Sequence, residues 1–452
     1  MITEYSKNTV YRTFVFPIKR TKEIVNFVWR NSNHKRKIKN IFIEEFRDRD
    51  PRSIRFGEID ELAKIIFHRE EKDGEYYFEN KLAKGISRYV ASEIKSSIKT
   101  MISKHKNGDG FGKFRFKKLD RYRCTFMVEN KRVMNDEDSF SARFNITDKK
   151  SITYNLFRNE SISFQLKEDI YTSVDRRSDG RHIYYNTNLG YKFRANDIKE
   201  VGFKYELGKV YLLLKVECNY EIYDILNKTN IAMGIDYGIH YPAVMYDGEY
   251  RLEYSRLIPQ EAKDKIKYLE NRIKILQSIM DRKTYGSKNY YKVLYKFRKS
   301  WSKIVGLKHY YNHLISKELV KYYFCICVDT FKINNTSYTK EVEGPFKRHI
   351  NFKSRFHRMY KFNEMIKYKS DQYDTIYLDT DDYKYFNTTN RCSLCGNLNE
   401  KTLHLSERTF ICEDCSYTED RDMNAAKNCY NIAIKYLKDH KLYKPMKNIV
   451  NM

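Results

Sequence analysis

The sequence predicts a multidomain α+β protein. A β-rich region and a basic helical lobe fill the N-terminal half, and an α/β domain with a small zinc ribbon inserted near its end follows. Three observations carry that expectation. Short alternating apolar runs crowd residues 124–220, stripes of helical period flank them, and two C-x-x-C pairs stand 16 residues apart near the C-terminus. A length of 452 residues is enough for several domains with cores of their own.

TVYRTFVFP (9–17) reads as an opening strand ended by Pro17. A helical region follows, and its clearest helix places Leu82, Ile86, Val90, Ile94, Ile98 and Ile102 at steps of four, one apolar stripe on a polar cylinder. NGDG (107–110) breaks it. In FGKFRFKKLDRYR (111–123) basic and aromatic residues alternate. On a strand, Lys113, Arg115 and Lys117 share one face and Phe114 and Phe116 the other, either to track phosphates or as an ordinary half-buried strand. The runs of 124–220, with a turn at SDG (178–180) and a clear strand at VYLLLKVE (210–217), predict a barrel or sandwich.

From residue 229 the pattern changes. IAMGID (231–236), HYPAVMY (240–246) and EYRLEY (249–254) read as strands, the last two joined through Asp247-Gly248. Two long helices follow, the first with Ile266, Leu269, Ile273, Leu276 and Met280 on one face, the second over 290–321 and dense in Lys and Tyr. YYFCICVD (322–329) is apolar on both faces, as at the centre of a covered sheet. DTIYLD (374–379) is a further strand, and a helix runs from Asp422 to Lys438.

Lys and Arg total 86 against 59 Asp and Glu, a formal charge of +27. A compact fold repels itself at such a charge unless a polyanion binds, and nucleic acid is the commonest such partner; a solvated basic face is the plainer alternative. The 40 Tyr and 27 Phe supply rings on which bases can stack, although most such rings serve cores. No apolar run reaches transmembrane length and the N-terminus lacks a secretion signal, so a cytosolic protein is expected.

Nine cysteines in such a chain point to metal rather than disulfides. Cys392, Cys395, Cys412 and Cys415 form C-x2-C-x16-C-x2-C. Two knuckles of two thiolates complete a tetrahedron for Zn²⁺ with no open position, so the site is structural. A ribbon this small holds no core without its metal. Cys124, Cys218, Cys325, Cys327 and Cys429 read as small core residues, and the histidines, His240 included, as surface residues without ligand spacing.

Three acids stand at the ends of core elements: Asp236 after the first strand of the α/β region, Asp329 after the buried strand, and Asp422 at the start of the last helix. They converge if the strands are neighbours and the helix packs beside them. Clustered carboxylates repel unless metal neutralises them. Two Mg²⁺ ions about 3.5–4 Å apart between such groups activate a water and stabilise the leaving oxygen of a phosphodiester. Taken singly, each acid reads more simply as a turn or cap residue.

In their order, GIDYGIHYPAV (234–244), two long helices, a buried strand ending in an acid, FNTTNRCSLCG (386–396), a second C-x-x-C and DRDMNAAKN (420–428) resemble the transposon-encoded TnpB family and its relatives, the miniature type V CRISPR effectors. The resemblance covers most of 229–438 and extends weakly into the N-terminal half. It implies a β-barrel wedge domain over 1–20 and 111–228, a helical recognition lobe over 21–110, and an RNase H-like (RuvC) nuclease domain over 229–387 and 418–452. The zinc ribbon, 388–417, is then a target-nucleic-acid-binding insertion. It further implies an RNA-guided DNA endonuclease of the prokaryotic cytosol or nucleoid, a monomer or a homodimer on one guide RNA. Such a protein reads a short motif beside its double-stranded DNA target and uses Mg²⁺.

On this resemblance Asp236 and Asp422 are the first and third catalytic acids. Asp422 is preferred to Asp420 because the family's acid stands two residues before the Asn of its D-x-N-A motif, here Asn424. The middle acid is normally Glu, and here the place holds Asp329, shorter in reach by about 1.5 Å. Three consequences stand open: the backbone shifts and cutting survives, Glu341 or Glu343 reaches in, or the nuclease is weakened or lost and an RNA-guided DNA-binding regulator remains. A guide-independent RNase H-fold enzyme, such as a junction resolvase or transposase, leaves the N-terminal half unexplained.

Overall fold

The computed structural model describes residues 10–72, 83–106, 112–118, 120, 122–130, 133–134, 140–141, 144–146, 151–157, 160–167, 171–175, 182–186, 192–194, 197–218, 230–238, 242–329, 359–380, 387–401, 403 and 407–442. The chain divides into two units, Met1–Tyr220 and Glu221–Met452. Leu82, the breaker at 107–110, His240, Glu341 and Glu343 lie outside the described residues.

In the first unit β1 (Val10–Ile18), β2 (Arg123–Glu129), β5 (Ile198–Glu206) and β6 (Lys209–Cys218) form an antiparallel sheet in the order β1-β6-β5-β2. A second sheet pairs β3 (Ser151–Phe157) with β4 (Glu160–Gln165) and the short strand Phe144–Ile146. The two sheets meet where Ile18 bridges Leu166. Pro17 does not end β1: it pairs with Tyr211 inside the ladder. Its missing N–H is no loss, since its carbonyl accepts from Lys167 N (2.8 Å).

Helices α1 (Lys22–Phe46), α2 (Phe56–Lys72) and α3 (Ala83–Lys106) close this core. Thr21 caps α1 by accepting from Ile24 N (3.2 Å). The stripe expected on α3 is buried: Ile86, Val90, Ile94 and Ile98 are all 0 % exposed. At the centre the Phe203 ring meets Phe27, Tyr154 and Phe164 edge-on at centroid distances of 5.3–5.4 Å and stacks on Phe126.

The segment 112–118 corrects the expected strand, because it pairs with no strand and is irregular. Its backbone is held instead by one side chain, Asn40, which donates to the Lys117 carbonyl (3.2 Å) and accepts from Lys117 N (2.7 Å). Lys113, Arg115 and Lys117 are exposed as expected, but the phenylalanines part: Phe114 packs on the core while Phe116 is exposed under the Arg47 guanidinium.

The second unit is a five-stranded mixed sheet. Its strands are β7 (Asn230–Asp236), β8 (Val244–Tyr246), β9 (Arg251–Glu253), β10 (Tyr323–Asp329) and β11 (Ile376–Asp379), in the order β9-β8-β7-β10-β11. β7 is antiparallel to β8 and parallel to β10, and β10 is parallel to β11. The turn before β9 is an Asx turn, in which the Asp247 carboxylate accepts from Glu249 N and Tyr250 N.

Between β9 and β10 run α4 (Gln260–Asp281) and α5 (Lys288–Tyr322); α6 (Met359–Tyr373) precedes β11 and α7 (Arg421–Asp439) follows the ribbon. Both faces of the sheet are covered, which accounts for the unbroken apolar run of β10. Met233, Ile235, Ile326 and Val328 pack on Ile315 and Leu319 of α5 and Phe362 and Ile366 of α6. Ala232, Cys325 and Cys327 pack on Cys429, Ile432 and Ala433 of α7.

Candidate functional site

Strand alternation decides where the first two acids point. Residues 232, 325 and 327 face α7 and their neighbours 233, 235, 326 and 328 face away, so Asp236 and Asp329 both belong to the α7 face. They are also register partners, at the carboxyl ends of adjacent parallel strands. Asp422 comes to them in the first turn of α7 and is 6 % exposed. Asp420, not Asp422, is the cap of that helix, accepting from Met423 N (3.1 Å). The structure therefore brings Asp236, Asp329 and Asp422 to one place.

Their charges act on one another. Part of the Asp236 residue surface reaches solvent, yet its carboxyl is enclosed by protein. Burial first, then the negative charges of Asp329 and Asp422, raise its proton affinity well above the ordinary carboxylate range; Arg421 and Arg408 pull the other way without cancelling the effect. Asp422 forms an ion pair with Arg408. Both oxygens of Asp329 accept hydroxyl hydrogen bonds, Oδ1 from Thr380 (2.9 Å) and Oδ2 from Thr388.

The close approach of α7 needs Gly234. A Cβ there would lie 2.1 Å from the Ala426 carbonyl oxygen and 2.3 Å from Tyr430 N, so helix backbone rests directly on strand backbone.

The four expected cysteines converge. Cys392 Sγ lies 3.7 Å from Cys415 Sγ, Cys395 Sγ lies 3.6 Å from Cys412 Sγ, and all four sulfurs stand within 4.8 Å of one another. Four thiolates round a tetrahedral ion with bonds of about 2.3 Å stand about 3.8 Å apart, so the spacing suits such an ion. Each knuckle closes with a left-handed residue directly after its second cysteine, Gly396 (φ +81°) and Ser416 (φ +55°). Among the described residues only this group brings three or more candidate ligand atoms so close together. The oxygens of the three carboxylates do not all stand within 4.8 Å of one another.

Three asparagines of α7 dock the first knuckle onto that helix. Asn424 accepts from Ser393 N (3.0 Å) and donates to the Arg391 carbonyl (2.8 Å). Asn428 donates to the Thr388 and Arg391 carbonyls (2.8 and 2.7 Å), and Asn431 donates to the Ser393 carbonyl (3.0 Å). Asn424 and Asn428 are 0 % and 2 % exposed, so these bonds form away from water. Thr388 completes a path from ribbon to acids, because its carbonyl is held by Asn428 and its hydroxyl by Asp329.

Sequence reasoning gave no role to Arg408, Thr380, Thr388, Asn428 or Asn431. The asparagines carried a signal, polar residues at i, i+4 and i+7 on a helix whose neighbouring positions are apolar. The threonines and Arg408 carried none, because their partners are distant in sequence.

Comparison with known proteins supplies context. Residues 360–429 match the family model described as Cas12f1-like, TNB domain. TnpB-like protein L79 of Acanthamoeba polyphaga mimivirus is 26% identical over 215 residues, 46% of this chain and 39% of the relative. The Escherichia coli (strain K12) protein named "Putative RNA-guided DNA endonuclease InsQ" is 24% identical over 240 residues, 51% of this chain and 56% of the relative. The chain thus spans between about two fifths and somewhat over half of these relatives' lengths. A cryo-EM structure of a Cas12f1–sgRNA–target DNA complex aligns with 94% of this chain and 99% of that chain, at a TM-score of 0.43 and 17% identity.

Proposed function

We propose, from its likeness to TnpB-like proteins and to the Cas12f1-like TNB domain, that this chain is a member of the TnpB and miniature type V effector family and an RNA-guided DNA endonuclease whose phosphodiester hydrolysis depends on Mg²⁺. The observation that carries the proposal is the pairing of Asp236 with Asp329 at the ends of parallel strands, with Asp422 close enough to raise the Asp236 proton affinity. The order β9-β8-β7-β10-β11, in which β8 alone runs opposite to the other four strands, supports an RNase H-like (RuvC) reading of 229–387 and 418–452.

The donor set fits a hard divalent cation. It is all oxygen, and burial together with the charges of Asp329 and Asp422 raises the proton affinity of Asp236 in a way that added positive charge relieves. Asp236, Asp329 and Asp422 would hold Mg²⁺, which when bound supplies an activated water and charge stabilisation of the leaving oxygen. The chain's own part is orientation. Thr380 and Thr388 fix the Asp329 carboxylate, Arg408 meets Asp422, and Gly234 lets α7 present Asp422. Cys392, Cys395, Cys412 and Cys415 would hold a structural Zn²⁺ that keeps the knuckles docked on α7. Residues 388–417 then act as the target-nucleic-acid-binding ribbon, 1–20 with 111–228 as the wedge, and 21–110 as the recognition lobe. The partners are a guide RNA and double-stranded DNA, and the +27 charge complements both.

A second reading rests on a specific observation. Asp329 has both oxygens engaged by hydroxyls and Asp422 is paired with Arg408, so two of the three acids are satisfied without metal. A guide-RNA-dependent DNA-binding regulator that does not cut would keep this arrangement. The deciding experiment purifies the protein with the RNA it binds at its native locus, sequences that RNA, and presents a matching plasmid with Mg²⁺ or Mn²⁺. Cleavage that disappears in Asp236→Ala supports the nuclease. Target binding without cleavage at any metal concentration supports the regulator, and failure to retain RNA sinks both.

A further inference from the structure

Helix α5 carries a row of lysines that has no acid partner among the described residues and that neither the acid site nor the ribbon uses. Lys288, Lys292, Lys296, Lys299 and Lys303 recur at steps of four, four, three and four, and all five are exposed. At about 100° per residue they fall within an arc of about 80°, and at about 1.5 Å per residue the row is about 22 Å long. Gly306 and exposed Tyr310 (58 %) prolong it by steps of three and four. The opposite side of the helix is the packed one, with Ile304 buried on α4 beside Phe297 and Trp301.

Two contrasts separate this row from an ordinary solvated face. Between Lys288 and Lys317 the helix has no acid, whereas α4, of similar composition, interleaves Glu261, Asp264, Glu270 and Asp281 with its cations. None of the five lysines has an acid within 4.0 Å among the described residues, although Lys427 in the same unit is paired with Glu419 at 2.6 Å. A straight, acid-free line of ammonium groups is complementary to a polyphosphate backbone. Ammonium groups act as point charges and meet phosphates without reading base edges.

We propose that the α5 lysine row is a binding site for the backbone of double-helical RNA, which under the function proposed above is the folded part of the guide RNA. Duplex RNA is held by shape and by phosphate and 2′-hydroxyl contacts. The exposed phenol of Tyr310, which continues the row, supplies a hydroxyl partner for the sugar.

The test compares charge-matched variants of the full chain by titration with a labelled, perfectly paired RNA duplex of about 20 base pairs and a DNA duplex of the same sequence. The row variant is Lys292→Gln, Lys296→Gln, Lys299→Gln and Lys303→Gln. The control on the mixed face of α4 is Lys265→Gln, Lys267→Gln, Arg272→Gln and Lys274→Gln. The row variant is expected to lose RNA affinity by at least about tenfold and to flatten the dependence of log K on log salt by about 3, with little change in the control.

Gly306→Glu gives a second reading, since an added Cβ there meets nothing within 4 Å. Glutamate favours helix over glycine, so melting temperature should rise while RNA affinity falls, a split no folding defect produces. Unchanged RNA binding in the row variant, an equal loss in the α4 control, or a loss confined to DNA overturns the site. The proposed function fails separately, if wild-type protein retains no RNA from its native locus.

Discussion

Gly234 lies beneath the backbone of Ala426 so closely that a methyl group on it would stand 2.1 Å from the Ala426 carbonyl oxygen. The obstructing atoms are backbone, which no rotamer change can move aside. Gly234→Ala should therefore push α7 off the sheet, lowering stability by about 3 kcal/mol or more, at the upper end of overpacking effects. Cleavage should fall further than stability does, because Asp422 moves with the helix. Thermal melts together with cleavage below the new melting temperature check both parts.

Asp236→Asn should separate stability from activity. The wild-type carboxyl binds its proton more tightly folded than unfolded, so between the ordinary carboxylate pKa and its raised folded value the folded state holds the extra proton. Stability of the metal-free protein then declines as pH rises through that window. The asparagine variant lacks this term. It should melt above the wild type at pH 8 without Mg²⁺, with the difference shrinking on acidification, while losing at least about a hundredfold in cleavage. Equal melting temperatures across pH would contradict the electrostatic account.

Metal removal should reach the acids through the asparagine contacts. Stripping the cysteine site, or Cys412→Ser, unfolds a ribbon whose only buried hydrophobic among the described residues, besides two of its cysteines, is Phe410. That releases Thr388 from Asp329. Asn428→Ala should imitate part of this with the cysteines intact, costing about 1–3 kcal/mol, because the Thr388 carbonyl loses its Asn428 donor and the Arg391 carbonyl keeps only Asn424. Metal content by mass spectrometry, melting and cleavage should fall together on stripping. In Asn428→Ala metal content should stay while the other two fall.

His34 in α1 provides a pH signature in the first unit. Burial first, and the Lys37 charge second, lower its pKa from 6.5 to about 3. The unfolded chain therefore binds a proton below pH 6.5 that the folded one refuses, and stability falls as pH drops from 6.5 towards 3. The slope is about 1.4 kcal/mol per pH unit. Chemical denaturation between pH 7 and 5 should show that slope in the wild type and a shallower one in His34→Gln.

Much of the second unit was legible along the chain because its signals are local. Covered strands such as β10 must be apolar on both faces, helices such as α4 must repeat their apolar residues every three or four positions, and C-x-x-C knuckles hold their thiolates at a fixed spacing. Those constraints marked the four cysteines and the core elements at whose ends Asp236, Asp329 and Asp422 stand, while the resemblance to the TnpB family singled out the three acids. Local signals misled at 111–123, where alternation of basic and aromatic residues imitated a strand. The side chain of Asn40, 77 positions away, supplies the partner that a neighbouring strand would have supplied.

Only the tertiary structure decided which groups meet. Register made Asp236 and Asp329 neighbours, a missing Cβ at Gly234 set the depth of α7, and the Thr388–Asn428 contact tied the ribbon to the acid site. Arg408 and Asp422 are 14 residues apart, and nothing in either segment announces their ion pair. Periodicity and ligand spacing record how a segment meets solvent or a metal, which sequence expresses directly. Pairing between distant segments depends on how whole elements pack, and the same residues in another register would face away from one another.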